Sequence, residues 1–362
     1  MPRRTATMLA SFLVLFALLC VGVFLRVPYS EMSPGPTVNT LGDSRGEPVL
    51  NISGRKTYPT SGHLNMTTVR VTGADYDMNL LEAVYGWVAG DNIVVPHENL
   101  YPNGKTDKES TQENAEEFSQ SQESAKVAAL KQLGIPVTAR VIVSTVVKGS
   151  PSEGKLHAGD VIKDVDGAPV NEPGDVAKLV TKHKPGEPVE FTIVPAADAA
   201  AAEKENREPT GSTKVTITAG KAPDDGHAIV GIRAGTDHAF PFPIDIKLAD
   251  VGGPSAGLMF ALGIVDKLTP QSLTGGKFIA GTGTIDDTGK VGPIGGIQMK
   301  TIGARQAGAE YFLTPAENCA SAAAHTPDGL TLVKVSTIDD ATKALEKIGK
   351  GDTAGLPRCT KS

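Results

Sequence analysis

The stretch Asp250-Val-Gly-Gly-Pro-Ser-Ala-Gly257 surrounds one serine with residues that have little or no side chain. Ser255 precedes an apolar run at 258–265, which is long enough for a buried helix. Pro254 suits the first position of a helix, so the sequence predicts Ser255 at a helix N-terminus, where unpaired N–H groups favour negative charge. The N–H groups of Gly253 and Ser255 are therefore candidates for an oxyanion hole. The alternative is that Ser255 only caps the helix.

Lys300 follows 45 residues after Ser255, in a segment that indicates a helix over 297–308 entered from two glycines. At 3.6 residues per turn, its side chain shares a stripe with Ile297 and Ala304, which is expected to pack inward. Burial lowers the pKa of a lysine, and a neutral amine can accept the proton of a serine hydroxyl. On periodicity alone, however, a lysine that extends to the surface is the favoured interpretation.

Three short blocks follow one another here: Gly-Pro-Ser-Ala-Gly at 253–257, Thr-Gly-Thr-Ile at 282–285 and Pro-Ile-Gly-Gly-Ile-Gln-Met-Lys at 293–300. In this order they resemble the catalytic domain of the Lon-type serine proteases. The resemblance implies that Ser255 is the nucleophile, that Lys300 is the general base, and that Thr282 hydrogen-bonds and orients the lysine. Many Lon proteins have an acidic residue directly before Gly-Pro-Ser. This chain has glycines there, and Asp250 is left without a role.

A second pair of motifs lies upstream: Leu156-His-Ala-Gly-Asp-Val-Ile162 and Val165-Asp-Gly-Ala-Pro-Val170. With the apolar strand before them they resemble a PDZ domain of the bacterial type, over 137–220. Such domains bind extended peptides by adding a strand to a sheet edge, often with capture of a C-terminal carboxylate. Segments before this domain, near 62–71 and 122–130, resemble parts of a Lon core. The PDZ domain is therefore expected to be inserted into the catalytic domain.

The loop that leads into the first PDZ strand is the candidate carboxylate cradle, formed by Leu133, Gly134 and Ile135. The alternative is an ordinary turn. The polar segment at 103–124 indicates a solvated helix or a mobile loop, and no chemistry is assigned to it.

The N-terminus contains an uncharged apolar run at 8–25, preceded by Arg3 and Arg4. About 18 apolar residues suffice for a transmembrane helix. The positive residues predict a cytoplasmic N-terminus and place everything after the span outside the cytoplasm. No Ala-x-Ala site closes the run, which argues against cleavage; a cleaved signal peptide is the alternative.

The cysteines fit an exterior location. Cys20 lies in the apolar run, which leaves Cys319 and Cys359. Outside the cytoplasm these two could form a disulfide that ties the C-terminal tail to the catalytic domain. The alternative is two unpaired, buried cysteines.

The composition and motifs of the chain give no support to several classes of function. The net charge of −6 and the lack of a basic patch with interleaved aromatics give no support to a nucleic-acid partner. No Cys/His cluster has the spacing of a metal site, and His-Glu-x-x-His does not occur, so no metal is predicted. Because no Gly-x-x-x-x-Gly-Lys-Ser/Thr loop occurs either, we expect neither ATP nor another cofactor.

The arrangement as a whole resembles the membrane-anchored PDZ–Lon proteins of Gram-positive bacteria. An α+β fold with α/β-like layers is expected. The predicted order is a cytoplasmic N-terminus (1–7), a transmembrane helix (8–27), an N-terminal extracytoplasmic region (28–136), the PDZ domain (137–220), the Lon-type proteolytic domain (221–350) and a C-terminal tail (351–362).

The predicted function is that of a single-pass, membrane-anchored, ATP-independent serine endopeptidase that cleaves unfolded or flexible extracytoplasmic segments. One alternative is an inactive, membrane-tethered scaffold that binds peptides through its PDZ domain. Another is a protease dedicated to one membrane partner. Because Lon domains often form rings, the resemblance also allows a homo-oligomer, by analogy.

Overall fold

The chain divides into two compact units, one inserted into the other. The structure is a computed structural model, and it describes residues 3–88, 90–205, 209, 211–249 and 251–361. The first unit comprises residues 1–134 and 244–362, and the second comprises residues 135–243.

Helices and strands mix along the described residues, as an α+β fold requires. The strands are β1 (Tyr29–Asn39), β2 (Asp43–Ser44), β3 (Glu47–Pro48), β4 (Leu50–Ile52), β5 (His63–Val71), β6 (Ile93–Pro96), β7 (Thr138–Val146), β8 (Val161–Val165), β9 (Ala168–Pro169), β10 (Pro188–Val194), β11 (Thr213–Thr218), β12 (Gly220–Lys221), β13 (Ala228–Ile229), β14 (Ile232–Ala239), β15 (Ile244–Ile246), β16 (Phe278–Gly281), β17 (Thr284–Ile285), β18 (Val291–Gly292), β19 (Tyr311–Pro315) and β20 (Thr331–Val335). The α-helices are α1 (Arg3–Phe24), α2 (Leu80–Val88), α3 (Asp107–Gln132), α4 (Pro173–Val180), α5 (Ala196–Lys204), α6 (Gly257–Leu268), α7 (Ile297–Gln306), α8 (Cys319–Ala324) and α9 (Ile338–Gly349). Short 3₁₀ turns lie at His97–Asn99, Pro102–Gly104 and Ala316–Asn318.

The first unit is built on a mixed sheet of strand order β20-β19-β16-β5-β1-β6. Strands β5, β16, β19 and β20 run parallel to one another, whereas β1 is antiparallel to both β5 and β6. Helix α6 is buried from Gly257 to Asp266, as expected for a helix that is apolar on all sides. Helix α7 approaches β1 so closely that a Cβ at Gly303 would lie 3.2 Å from the carbonyl oxygen of Gly35.

Helix α3 bears out the solvated-helix alternative for the first part of the polar segment at 103–124, whereas from Phe118 onward one side of the helix is buried. It is one continuous helix that begins with a capping box, in which Thr106 and Glu109 bond each other's backbone N–H groups. Its buried side includes Phe118, whose ring contacts Phe260 of α6 at a centroid distance of 5.8 Å. The remaining buried residues are serine, alanines, valine and leucine, and the first three turns are almost entirely polar. A stripe of such small side chains is hard to recognise by hydrophobicity.

The second unit has a sheet of strand order β11-β10-β8-β7-β14, with β9 paired to β8. Strand β14 forms one edge and pairs with β7 over eight residues, from Ile232 opposite Val146 to Ala239 opposite Thr138. This pairing differs from the sequence interpretation, which ended the PDZ domain at residue 220 and began the Lon-type proteolytic domain at residue 221; the second unit continues to residue 243. The side chain of Val230 packs in the core of the second unit, and that burial accounts for the difference.

The described residues near the two ends of the chain also have defined structure. Cys319, at the start of α8, forms a disulfide with Cys359 of the C-terminal tail. The tail follows β20, since the N–H of Lys334 donates to the carbonyl of Pro357 at 2.7 Å. At the other end, α1 is long and apolar enough over Thr7–Phe24 to cross a membrane.

Candidate active site

Ser255 and Lys300 meet in the first unit. The Lys300 Nζ donates to the Ser255 Oγ at 2.8 Å and to the carbonyl oxygen of Thr67, on β5, at 3.0 Å. The lysine is only 3% exposed, and this burial lowers its pKa from 10.5 to about 8. The amine is therefore held against the serine hydroxyl in surroundings that make its neutral form more accessible than in an exposed lysine.

Helix α7 positions the lysine through a glycine at its start. Gly296 has a left-handed backbone (φ 68°), and a Cβ there would lie 2.9 Å from the side chains of both Met32 and Val69. The glycine lets the helix begin directly against β1 and β5. Lys300 then makes its first helical hydrogen bond to the Gly296 carbonyl, and its side chain points toward β5. The sequence interpretation of a helix entered from the glycine pair agrees with these bounds.

The turn that carries Ser255 differs from the predicted helix start. Helix α6 begins at Gly257, so Ser255 lies two residues before the helix and Pro254 is not its first residue. The Ser121 Oγ of α3 donates to the Pro254 carbonyl at 2.9 Å. A Cβ at Gly257 would lie 2.7 Å from the same Oγ. The turn is thus fixed by contact with α3 and not by the capping of its own helix.

Thr282 contacts the serine backbone. Its hydroxyl donates to the carbonyl oxygen of Ser255 at 3.0 Å, and the N–H of Gly283 donates to the same oxygen at 2.9 Å. The sequence predicted a hydrogen bond from Thr282 to Lys300; the structure gives the hydroxyl a different partner. The chain leaves β16 beside the Ser255 turn, which brings the fully buried Thr282 to that carbonyl. Two donors therefore hold the peptide group of the serine in one orientation.

The two predicted oxyanion donors differ in their surroundings. The N–H of Gly253 donates to the carbonyl of Asn114, on α3, at 2.8 Å, so it is not free in this structure. Within the described residues, the N–H of Ser255 has no acceptor and is free to receive a developing oxyanion. Asp250 lies outside the described residues.

Three residues of the site were missed by the sequence analysis: Thr67, Asn114 and Ser121. Thr67 and Asn114 act through their backbone carbonyls, which any residue type supplies, so the sequence carried no signal for them. Ser121 acts through its hydroxyl, but it lies in the segment that had been assigned no chemistry. A search for polar residues on the buried side of a mostly polar helix could have found it.

The second unit has a groove of about 240 Å³ between α4 and the edge strand β14. Its walls are mainly apolar, and its lining includes Val176, Ala177, Val180, Ala228, Ile232 and Ala234. None of the predicted cradle residues, Leu133, Gly134 and Ile135, lines this groove. Leu133 and Gly134 end α3: Gly134 is left-handed (φ 67°), and its N–H donates to the carbonyl of Lys131. These residues have the geometry of a helix C-terminus.

A surface group in the second unit also brings together three atoms that are able to ligate a metal. They belong to the exposed residues Asp224, Asp225 and His227 and lie within 4.8 Å of one another. Asp225 and His227 already bond each other, and exposed acidic groups are common without an ion. We assign the group no role.

Comparison with known proteins gives two family matches. Residues 116–198 match the PDZ domain family, and residues 249–347 match the Lon protease (S16) C-terminal proteolytic domain. The Lon protease of Azospirillum brasilense is 39% identical over 95 residues, which cover 25% of this chain and 11% of the relative. Lon protease 1 of Bacillus subtilis (strain 168) is 33% identical over 91 residues, which cover 24% of this chain and 12% of the relative.

Among solved structures, the PDZ domain of an SdrC-like protein from Listeria monocytogenes aligns with 20% identity and a TM-score of 0.21, over 26% of this chain and 86% of that chain.

The curated Lon relatives are matched over only about an eighth of their length or less. The match at 249–347 includes Ser255, Thr282 and Lys300. The chain therefore carries a PDZ domain and a Lon protease C-terminal proteolytic domain.

Proposed function

We propose that the protein is a membrane-anchored serine endopeptidase that cleaves unfolded or flexible chain segments without ATP. The observation that carries this proposal is the 2.8 Å hydrogen bond between the Lys300 Nζ and the Ser255 Oγ, made by a lysine that is 3% exposed. A serine beside a desolvated amine has the nucleophile and the base that acyl transfer needs. The Lon protease relatives support the same chemistry.

The proposed reaction has two stages. Neutral Lys300 accepts the proton of the Ser255 hydroxyl while the Oγ attacks the carbonyl carbon of a peptide bond. The N–H of Ser255 donates to the resulting oxyanion; in a well-studied protease, one such donor contributes about 3–4 kcal/mol. Lys300 then gives the proton to the leaving amine, which departs as the C–N bond breaks. Water, deprotonated by the same amine, hydrolyses the acyl-enzyme.

The surrounding hydrogen bonds prepare this step. The Thr67 carbonyl accepts one of the amine's hydrogens and leaves the Nζ directed at the serine. The Thr282 hydroxyl and the Gly283 N–H hold the Ser255 carbonyl. The Ser121 hydroxyl holds the Pro254 carbonyl, which shares its peptide plane with the Ser255 N–H. Preorganised groups of this kind need no rearrangement during the reaction. Gly253 becomes a second oxyanion donor only when its N–H leaves the Asn114 carbonyl.

We assign substrate recognition to the groove of the second unit. Strand β14 is an edge strand and α4 forms the opposite wall, so an extended segment that enters the groove can pair with β14 while its side chains contact the apolar lining. Gly231 lines the groove directly before β14, so it replaces Leu133, Gly134 and Ile135 as the proposed site for a C-terminal carboxylate. Recognition of extended segments agrees with unfolded or flexible substrates.

Helix α1 is the proposed membrane anchor. Twelve of its apolar side chains are large and exposed, from Met8 to Phe24, so nothing in the described part of the chain covers them. Arg3 and Arg4 at its start favour a cytoplasmic N-terminus, which places the residues after α1 outside the cytoplasm. The disulfide between Cys319 and Cys359 is suited to that location. The sequence lacks a phosphate-binding loop motif, which favours cleavage without ATP.

The test uses the full chain in detergent with casein and no nucleotide. Wild type is compared with Ser255→Ala and Lys300→Ala, and with Lys290→Ala as a matched control, because Lys290 is exposed. Cleavage by wild type and the control, but not by the two site variants, supports the proposal. Cleavage that survives Ser255→Ala contradicts it. Absence of cleavage with retained binding of unfolded chains supports the scaffold instead.

A further inference from the structure

Helix α2 has an apolar face that is left uncovered. Val84, Tyr85, Trp87 and Val88 are 43%, 71%, 54% and 80% exposed. The opposite side is packed, with Ala83 and Gly86 buried. Two aromatic and two β-branched side chains on one short helix form an exposed cluster of the kind that marks an interaction surface.

This face lies beside the end of α1. The N–H of Leu80, the first residue of α2, donates to the carbonyl of Leu25 at 2.9 Å, and the N–H of Val27 donates to the carbonyl of Met78 at 2.9 Å. The helices also touch, since a Cβ at Gly22 would lie 2.9 Å from the side chain of Leu81. The start of α2 is therefore held at the level where the apolar helix α1 ends.

The side chains around this junction are those that membrane interfaces favour. The exposed apolar surface of α1 continues to Phe24 and Leu25, which are 81% and 48% exposed, and then reaches Arg26. The guanidinium of Arg26 donates to the carbonyl of Asp77 at 2.7 Å. Tyrosine and tryptophan are enriched at the boundary between acyl chains and headgroups, and arginine accompanies them there. The exposed face of α2 places further side chains of this kind beside the end of α1.

We propose that α2 binds the membrane surface, with Val84, Tyr85, Trp87 and Val88 inserted among the lipid headgroups and upper acyl chains. The inference rests on the membrane anchoring by α1 proposed above and names a second contact with the same bilayer. The continuity of the two exposed apolar surfaces identifies lipid as the occupant. Amphipathic helices bury their apolar face about 5–10 Å deep at this boundary.

A second contact restrains the first unit in a way that one helix does not. Trp87 packs edge-on against Tyr29, the first residue of β1, with ring centroids 5.3 Å apart. Strand β1 lies next to β5, and the Thr67 carbonyl on β5 accepts a hydrogen bond from the Lys300 Nζ. Two neighbouring attachments therefore hold the start of the catalytic sheet at the membrane surface and limit its rotation about α1.

Trp87 makes this inference directly measurable, because it is the single tryptophan of the chain. The full chain is reconstituted into phosphatidylcholine vesicles, and its fluorescence is recorded with acrylamide in the water or with brominated lipid in the bilayer. We expect emission at shorter wavelength than in a denatured sample, weak quenching by acrylamide and loss of most emission with brominated lipid. Bromine near the headgroup end of the acyl chain is expected to quench more than bromine near its terminus.

Two variants sharpen the test. Val84→Ser/Val88→Ser keeps the tryptophan but makes its neighbours polar, and we expect quenching to shift from lipid to acrylamide. Phe16→Trp combined with Trp87→Phe moves the reporter into α1, where bromine near the acyl terminus is expected to quench more. Circular dichroism of both variants checks that they are folded.

The possible failures differ from one another. Strong acrylamide quenching without lipid quenching overturns the inference, and so does shielding from both quenchers, which indicates that another protein chain covers α2. Vesicle flotation is measured on the same samples. A chain that does not float with the vesicles contradicts the proposed anchor itself, whereas floating with an exposed Trp87 contradicts only the role of α2. Casein cleavage in detergent reports the peptidase separately.

Discussion

The Ser255–Lys300 site and the groove beside β14 perform their proposed tasks by opposite means. The site buries a lysine and pairs it with two oxygens, so that a few atoms carry the chemistry. The groove is open and mostly apolar, and its binding strength is spread over many contacts and an unpaired strand edge. Loss of one atom is therefore expected to be severe in the first region and mild in the second. The same contrast explains why the sequence predicted the Ser255–Lys300 site but not the groove.

The largest expected effect is the loss of the base. Lys300→Met keeps most of the side-chain volume but removes the amine, and we expect kcat/KM for casein to fall by about 10⁴-fold. Peptide binding by the groove should not change, because the second unit is untouched. Both quantities are measured on the full chain, by cleavage assay and by peptide titration. Lys290→Met is the control and should retain full activity.

A decrease of less than tenfold in kcat/KM for Lys300→Met would contradict this contrast between the two regions, because it would mean that burial of this amine serves packing and not catalysis. Restoration of Lys300→Met activity by an added small amine would support the contrast further. That result would show that the missing function is proton transfer at the vacated position.

The proposed catalytic residues could be predicted because their chemistry depends on side-chain identity at fixed spacing. Ser255, Thr282 and Lys300 stand in blocks that the resemblance identified, and the structure brings all three together. The partner of Thr282 could not be predicted, since it is the backbone carbonyl of Ser255 and depends on how the chain leaves β16. The role of the Thr67 carbonyl could not be predicted either, because it too is a backbone group.

The groove could not be predicted from local patterns. Its two walls, α4 and β14, are separated by more than fifty residues, and their pairing is set by the sheet and not by a motif. The Gly134 loop was a plausible cradle because a glycine turn precedes a strand there. That turn is instead explained by the end of α3. Local chemistry thus predicted one region, and tertiary pairing determined the other.

The two regions should also differ in how their activities depend on pH. Because Lys300 must be neutral to accept a proton, activity rises as this group loses its charge. With a pKa of about 8, kcat/KM is expected to rise about tenfold per pH unit below that value and to level off above it. Peptide binding by the groove does not require Lys300 to lose a proton. A profile that is flat between about pH 6 and 9 would contradict the proposed base.

The groove is tested by filling it. Ala177 is exposed and lines the groove, so Ala177→Phe adds bulk without disturbing the core. We expect the Kd for a peptide with an apolar C-terminus to rise about tenfold, which corresponds to about 1.4 kcal/mol. Lys182→Phe adds the same ring at an exposed position outside the lining and should leave the Kd unchanged.

Cleavage of a short peptide that lacks an apolar C-terminus should be equal in wild type and Ala177→Phe. Equal Kd values for Ala177→Phe and Lys182→Phe would show that the peptide binds elsewhere.

The smallest expected effect distinguishes two roles for Thr282. Thr282→Val keeps the shape and removes the hydrogen bond to the Ser255 carbonyl, which still accepts from Gly283. Loss of one hydrogen bond of about 1 kcal/mol corresponds to a decrease of about fivefold in kcat. If Thr282 held the lysine, as the sequence predicted, the variant would also move the midpoint of the pH profile. Because its hydroxyl holds the serine backbone, we expect kcat to fall while the midpoint stays near that of the wild type.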